Sequence, residues 1–211
     1  MHDAFVQELI GKGVLYTDAI IAAFEKVRRI DFVHEEMHDQ AYDDAPLPIG
    51  YSQTISQPST VAIMLEHLRV QPGERVLEVG CGSGWLTGLL AELVGETGYV
   101  YGIDIMVEMV DLTKEHLRPY HYTNFDVHCA DGWHGVPEHA PYNRIVVSAA
   151  AHLVPPALLE QLARGGILVM PVGDDMQDLV VLTKDAEGNI HRESQPGFQF
   201  VPLMSKHIPA V

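Results

Sequence analysis

Apolar residues recur along this chain with two different periods. Between Thr17 and Arg28 the apolar positions Ile20, Ile21, Phe24 and Val27 fall three and four apart, the spacing of one helix face. Thr17-Asp18 predicts the cap of that helix, and an earlier helix is predicted over Asp3–Lys12, ending at Gly13. The periodicity is lost from Tyr42 to Pro58, where Pro46, Pro48 and Gly50 interrupt a stretch crowded with Ser and Thr. A long irregular segment inside a compact domain is often functional. Pro58 then opens a third helix running to Leu68, since proline is favoured at a helix start.

From Arg75 the pattern changes to short apolar runs alternating with helical stretches. Strands are predicted at Arg75–Val79, Tyr99–Ile103, Phe125–Cys129, Arg144–Ser148 and Ile167–Val172. Helices are predicted at Trp85–Val94, Val107–Leu117 and Pro156–Leu162. Such alternation with short loops predicts an α/β fold, a doubly wound and mainly parallel sheet covered on both faces. Asp178–Thr183, a turn at Asp185–Asn189 and a strand near Phe198–Leu203 predict antiparallel strands closing the sheet. The expectation is one domain, with residues 1–70 forming a helical extension and an active-site segment, and 71–211 the core.

Charge narrows the range of partners. The 211 residues include 13 Lys and Arg against 29 Asp and Glu, for a formal charge of -16. An acidic surface repels phosphate backbones and anionic membranes, so neither nucleic acid nor a membrane is the expected partner. Two cysteines, Cys81 and Cys129, make neither a zinc pattern nor a disulfide framework, and are expected to be reduced thiols in a cytoplasm. The N-terminus lacks the basic and apolar regions of a signal peptide, and no apolar run approaches the roughly 20 residues needed to span a bilayer.

The sharpest local signal is Glu78-Val79-Gly80-Cys81-Gly82-Ser83-Gly84, which follows the first core strand and opens a helix. Glycine allows a sharp turn and close approach of a ligand to the backbone. The third glycine comes two residues after the second, whereas a dinucleotide fingerprint places it three after, at Trp85 here. The spacing fits a nucleoside methyl-donor site better than a pyrophosphate cradle. Asp104 ends the next strand, 24 residues after Gly80, and can accept from two ribose hydroxyls. Asp131-Gly132 ends the third, where Asp131 can accept from an adenine amino group. Two acidic strand ends, with no basic residue between the glycines, suit a cationic ligand without phosphate. The competing reading is a generic α/β loop with helix-capping acids.

The chain resembles the protein-L-isoaspartate O-methyltransferase family. The resemblance rests on Asp44-Ala-Pro46-Leu-Pro48-Ile-Gly50 and Gln53-Thr54-Ile55-Ser56-Gln57-Pro58, followed by Arg75-Val-Leu-Glu-Val-Gly80-Cys-Gly-Ser-Gly84. It continues through Ala130-Asp-Gly-Trp133, Ile145-Val-Val-Ser-Ala-Ala-Ala151, Gly165-Gly-Ile-Leu-Val-Met-Pro-Val-Gly173 and Phe200-Val-Pro-Leu203. The similarity runs from about Val6 to Leu203.

It implies a class I, Rossmann-like methyltransferase fold, with S-adenosyl-L-methionine as donor and S-adenosyl-L-homocysteine as product. The reaction it implies is methylation of the α-carboxylate of L-isoaspartyl residues in damaged proteins or peptides. The ester closes to a succinimide, which hydrolyses partly to aspartate. The family's active-site serine falls on Ser56, with Thr54, Ile55 and Ala150 on the substrate side. Its cofactor contacts fall on Glu78, Gly80, Cys81, Gly82, Ser83, Gly84, Asp104, Ile105, Asp131 and Gly132. The segment Ile49–Ser56 is expected to cover both ligands, and the enzyme is expected to be a monomer.

The chain departs from the family pattern at Cys81, Trp85, Ser59, His152 and Gln199. These positions bear more on substrate choice than on methyl transfer. Two rival functions stay open: methylation of normal aspartate in peptide maturation, and a cofactor-binding regulatory module without turnover. His34-Glu35-Glu36-Met37-His38 also matches the H-E-x-x-H zinc motif, which needs two histidines on one helix face and a third ligand. A solvated helix is the expected state of that segment, and no metal site is expected.

Overall fold

The computed structural model of the chain describes residues 2–205. Helices α1 (His2–Gly11), α2 (Asp18–Lys26) and α3 (Pro58–Leu68) form the N-terminal part, with a short hairpin of β1 (Leu47–Gly50) and β2 (Gln53–Ile55) between α2 and α3. The core follows as β3 (Arg75–Val79), α4 (Trp85–Val94), β4 (Tyr99–Asp104), α5 (Val107–Leu117), β5 (Phe125–Cys129) and β6 (Tyr142–Val147). It ends with α6 (Pro156–Gln161), β7 (Leu162–Gly173), β8 (Gln177–Lys184) and β9 (Ile190–Phe198).

Seven strands make one sheet in the order β5-β4-β3-β6-β7-β8-β9. The pairs from β5 to β7 are parallel, and β7–β8 and β8–β9 are antiparallel. From β3 the chain winds outward through β4 to β5, then crosses back to place β6 on the other side of β3. The strand order therefore switches between β3 and β6, where open α/β sheets bind ligands beyond their strand ends. The central strands are buried on both faces: Val76, Leu77 and Val79 of β3 and Ile145, Val146 and Val147 of β6 are all at most 2% exposed. That is why they read as continuous apolar runs rather than alternating ones. One core cluster joins Phe24, Val27 and Phe32 of the N-terminal part to Trp85, Leu89 and Leu90 of α4, so the helical extension is packed into the fold.

Several local expectations are corrected. The segment predicted as irregular contains the β1–β2 hairpin, paired Leu47↔Ile55, Pro48↔Thr54 and Gly50↔Gln53. Its turn places Tyr51 and Ser52 at φ 52° and 59°. Positive φ at both central residues matches the twist of a two-residue hairpin, but neither residue is the usual glycine or asparagine, so the turn carried no sequence signal. Thr17 precedes α2 without capping it through its side chain; its hydroxyl donates instead to Glu66 at 2.6 Å. The last strand is Ile190–Phe198 and not Phe198–Leu203. Asp185 accepts the N–H groups of Gly188 and Asn189, both at 2.8 Å, so the returning strand begins directly after this turn. Every residue of β9 except Phe198 is exposed, which erased the apolar alternation. The His34–His38 segment is a 3-10 helix over Glu35–Gln40 with His34 outside it. At three residues per turn, positions four apart do not share a face.

Candidate active site

The glycine loop lies at the carboxyl end of β3, with Gly80, Gly82 and Gly84 all left-handed at φ +86°, +52° and +87°. It is tied down from two sides. Asp104, the last residue of β4, accepts the Gly82 N–H on Oδ2 and the Met106 N–H on Oδ1, each at 3.1 Å. From α5, the Thr113 hydroxyl donates to the Gly82 carbonyl at 3.1 Å, and His116 Nδ1 lies 2.9 Å from the Ser83 carbonyl. Each Asp104 oxygen keeps lone-pair capacity beyond its single backbone donor. Burial pushes the Asp104 carboxyl upward from its ordinary pKa, and the backbone N–H bonds oppose that shift.

An open cleft runs over this loop. Gly80, Cys81, Gly82, Ser83, Asp104, Ile105 and Gly132 line it, together with Thr54, Ile55 and Ser56 at the end of the hairpin. Strand β1 covers the loop closely, since a Cβ on Gly82 would lie 3.7 Å from Ile49 Cδ1. Among the described residues, no lysine or arginine lines the cleft.

Four expected site residues are not themselves among the residues lining the cleft. Glu78 is fully buried: its Oε2 accepts the Thr87 hydroxyl at 2.6 Å, and its Oε1 has no partner. Burial pushes this carboxyl up to about 8, against the Thr87 bond, with the nearby Asp104 adding to the rise. Gly84 packs against α5, where a Cβ would meet Thr113 Cα at 3.1 Å. Asp131 accepts the Trp133 N–H at 3.0 Å and the Ser205 hydroxyl at 2.8 Å, while its neighbours Ala130 and Gly132 line the cleft. The Ala150 backbone pairs with the chain end, donating to Val201 at 2.8 Å and accepting from Leu203 at 2.7 Å.

Ser148 and Ala149, just past β6, line the cleft in place of Ala150, and Val201–Met204 close it. Trp85 and Leu86 add apolar lining from the start of α4. Nothing in local periodicity marks the 201–204 stretch, which reaches the site only by crossing the carboxyl edge of the sheet. Ser56 is not a helix cap; Gln57 occupies that position of α3. Cys81 is buried, and burial pushes its thiol upward, so it acts as a small apolar residue.

A left-handed glycine loop after the first parallel core strand, a carboxylate ending the second and a cleft at the switch point define this as a class I methyltransferase fold. Within that class, the family described as protein-L-isoaspartate(D-aspartate) O-methyltransferase (PCMT) matches residues 1–208, and the chain belongs to it. A protein-L-isoaspartate O-methyltransferase of Methanococcoides burtonii is 47% identical over 188 residues, covering 89% of this chain and 93% of its own. One from Methanopyrus kandleri is 44% identical over 207 residues, covering 97% and 92%. Among solved structures, a Plasmodium falciparum chain described as a protein-L-isoaspartate O-methyltransferase was crystallised with S-adenosyl-L-homocysteine. It matches with a TM-score of 0.86 at 26% identity, covering 96% of this chain and 98% of that one.

Proposed function

We propose that this chain transfers a methyl group from S-adenosyl-L-methionine to the α-carboxylate of L-isoaspartyl residues in damaged proteins and peptides. The observation that carries this reading is that Ser56 and the Gly80–Ser83 loop line one cleft. Family membership supports the acceptor.

The residues of the cleft fit the donor. When bound, it supplies an electrophilic methyl group on a sulfonium centre and brings no phosphate. A cleft whose described lining includes the Asp104 carboxylate and no lysine or arginine accommodates such a cation. Asp104 holds the ribose hydroxyls, the left-handed loop admits the ligand against its backbone, and Ile105 and Gly132 flank the base. Asp131, between the cleft-lining Ala130 and Gly132, accepts from Trp133 on one oxygen and from Ser205 on the other, and keeps acceptor capacity for the adenine amino group.

On the acceptor side the chemistry asks little of the protein. A carboxylate is ionised at neutral pH and needs no general base. Ser56 donates its hydroxyl to one acceptor oxygen and so aims the other at the methyl group, which makes positioning its main contribution. Thr54 and Ile55 shape the same wall. The enzyme acts as a cytoplasmic monomer, and its acidic surface disfavours nucleic acid and anionic membranes. Among the described residues no helix is long and apolar enough to cross a membrane.

Transfer of labelled methyl to matched peptides carrying L-isoaspartate or L-aspartate tests this directly. Base-labile label on the isoaspartyl peptide alone is expected. Label on the aspartyl peptide would replace the repair reading with a peptide-maturation one.

A further inference from the structure

Arg29 begins the short 3-10 helix Arg29–Phe32 and is fully buried. Its two Nη groups donate to backbone carbonyls of the segment that leads into and out of the hairpin, while its buried Nε has no hydrogen-bond partner among the described residues. Nη1 reaches Ala41 at 2.8 Å and Asp43 at 3.2 Å. Nη2 reaches Ala45 at 2.8 Å and Ser56 at 3.1 Å. Ala45 lies just before β1 and Ser56 just after β2, so one nitrogen joins the two feet of the hairpin.

The same guanidinium lies 5.5 Å from the ring centre of Trp85, the first residue after the glycine loop. The Trp85 indole N–H is in turn fixed by the Val27 carbonyl at 3.2 Å.

We propose that Arg29 is a positioning residue for methyl transfer: by closing the base of the β1–β2 hairpin, it sets Ser56 against the cleft. This rests on the role of Ser56 proposed above. A buried cation is costly unless its surroundings are arranged around it. Here the arrangement is four carbonyl dipoles and an aromatic face. Burial lowers the Arg29 pKa to about 10, opposed by Asp44 and Asp43, so the group remains a cation at neutral pH. Only a planar fork with five donors spans four carbonyls. Lysine offers three donors from a single point and cannot join both feet while holding the 41–43 stretch.

The test compares wild type, Arg29→Lys and Arg29→Met, with rates expressed per folded molecule. The wild-type rate on an isoaspartyl peptide is measured first. Absence of transfer there would reject the activity itself, while the exchange measurement below still judges Arg29.

For Arg29→Lys, the expected results are a fall in kcat of about tenfold or more and a Kd for S-adenosyl-L-homocysteine within about threefold of wild type. Arg29→Met should fall further. Amide exchange should accelerate in residues 45–56 and stay unchanged in β3 and β6. Should Arg29→Met not fold, Arg29→Lys carries the comparison.

An unchanged kcat would overturn the proposal. So would a loss of cofactor affinity equal to the loss in kcat, which would place the effect at Trp85. Failure of Arg29→Lys itself to fold would make the arginine a determinant of general stability and overturn it as well.

Discussion

The carboxylate of Asp104 accepts the backbone N–H of Gly82, so the end of β4 holds the loop that follows β3. One side chain thus fixes the shape of the loop and presents the remaining oxygen lone pairs to the cleft. Asp104→Ala should weaken binding of S-adenosyl-L-homocysteine by about 1–3 kcal/mol, the scale for lost hydrogen bonds to a charged group, or roughly fivefold to 150-fold in Kd. Titration calorimetry reads this, and an unchanged Kd would refute the assignment.

Ser56 lines the same cleft as the glycine loop. Ser56→Ala removes one donor to an ionised acceptor, a loss of about 1.5–3 kcal/mol. The rate of transfer to an isoaspartyl peptide should fall at least about tenfold while cofactor affinity stays within a few fold. Equal losses in both would place Ser56 on the cofactor side.

Glu78 titrates with an inverted effect on stability. Its carboxyl is raised by burial from 4.5 to about 8. An acid whose pKa is raised on folding stabilises the native state fully below the unfolded value. That contribution is lost as pH climbs through the folded value. The cost of ionising Glu78 in the native state therefore develops between about pH 4.5 and pH 8. Glu78→Gln keeps an acceptor for Thr87 without a charge. Urea unfolding of the variant should show a smaller decline over this window than wild type, and parallel curves would show that Glu78 ionises freely.

Gly84 tests the packing beneath the loop. Its φ is +87°, and an added Cβ would lie 3.0 Å from Thr113 Cγ2 and 3.1 Å from Thr113 Cα. The backbone contact cannot be relieved by a rotamer change. Left-handed strain and overpacking together predict a loss of about 2–4 kcal/mol for Gly84→Ala. A denaturation midpoint close to wild type would mean that α5 yields to the methyl group.

The parallel core was legible because its strands are buried on both faces and its helices end at recognisable signals. The glycine loop, Asp104 and the Thr54–Ser56 wall were legible because their residue types are tied to local backbone needs or to motifs. The β1–β2 hairpin was not, since Tyr51 and Ser52 adopt left-handed conformations without the residues that advertise them. Nor was β9, whose exposed edge carries polar side chains on both faces.

Arg29 illustrates the remaining gap. It stands beside Arg28 in sequence, yet Arg28 pairs with Asp31 at the surface while Arg29 is buried under the hairpin. No pattern of neighbours separates the two.

The amino-acid sequence by itself determined the α/β alternation, the ligand loop and the family, because these depend on periodicity and on short motifs. Only the tertiary structure decided that Ala150 does not line the cleft, that Val201–Met204 close it and that Arg29 joins the hairpin's feet. Each of these depends on which distant backbone groups meet, and chain spacing does not encode those meetings.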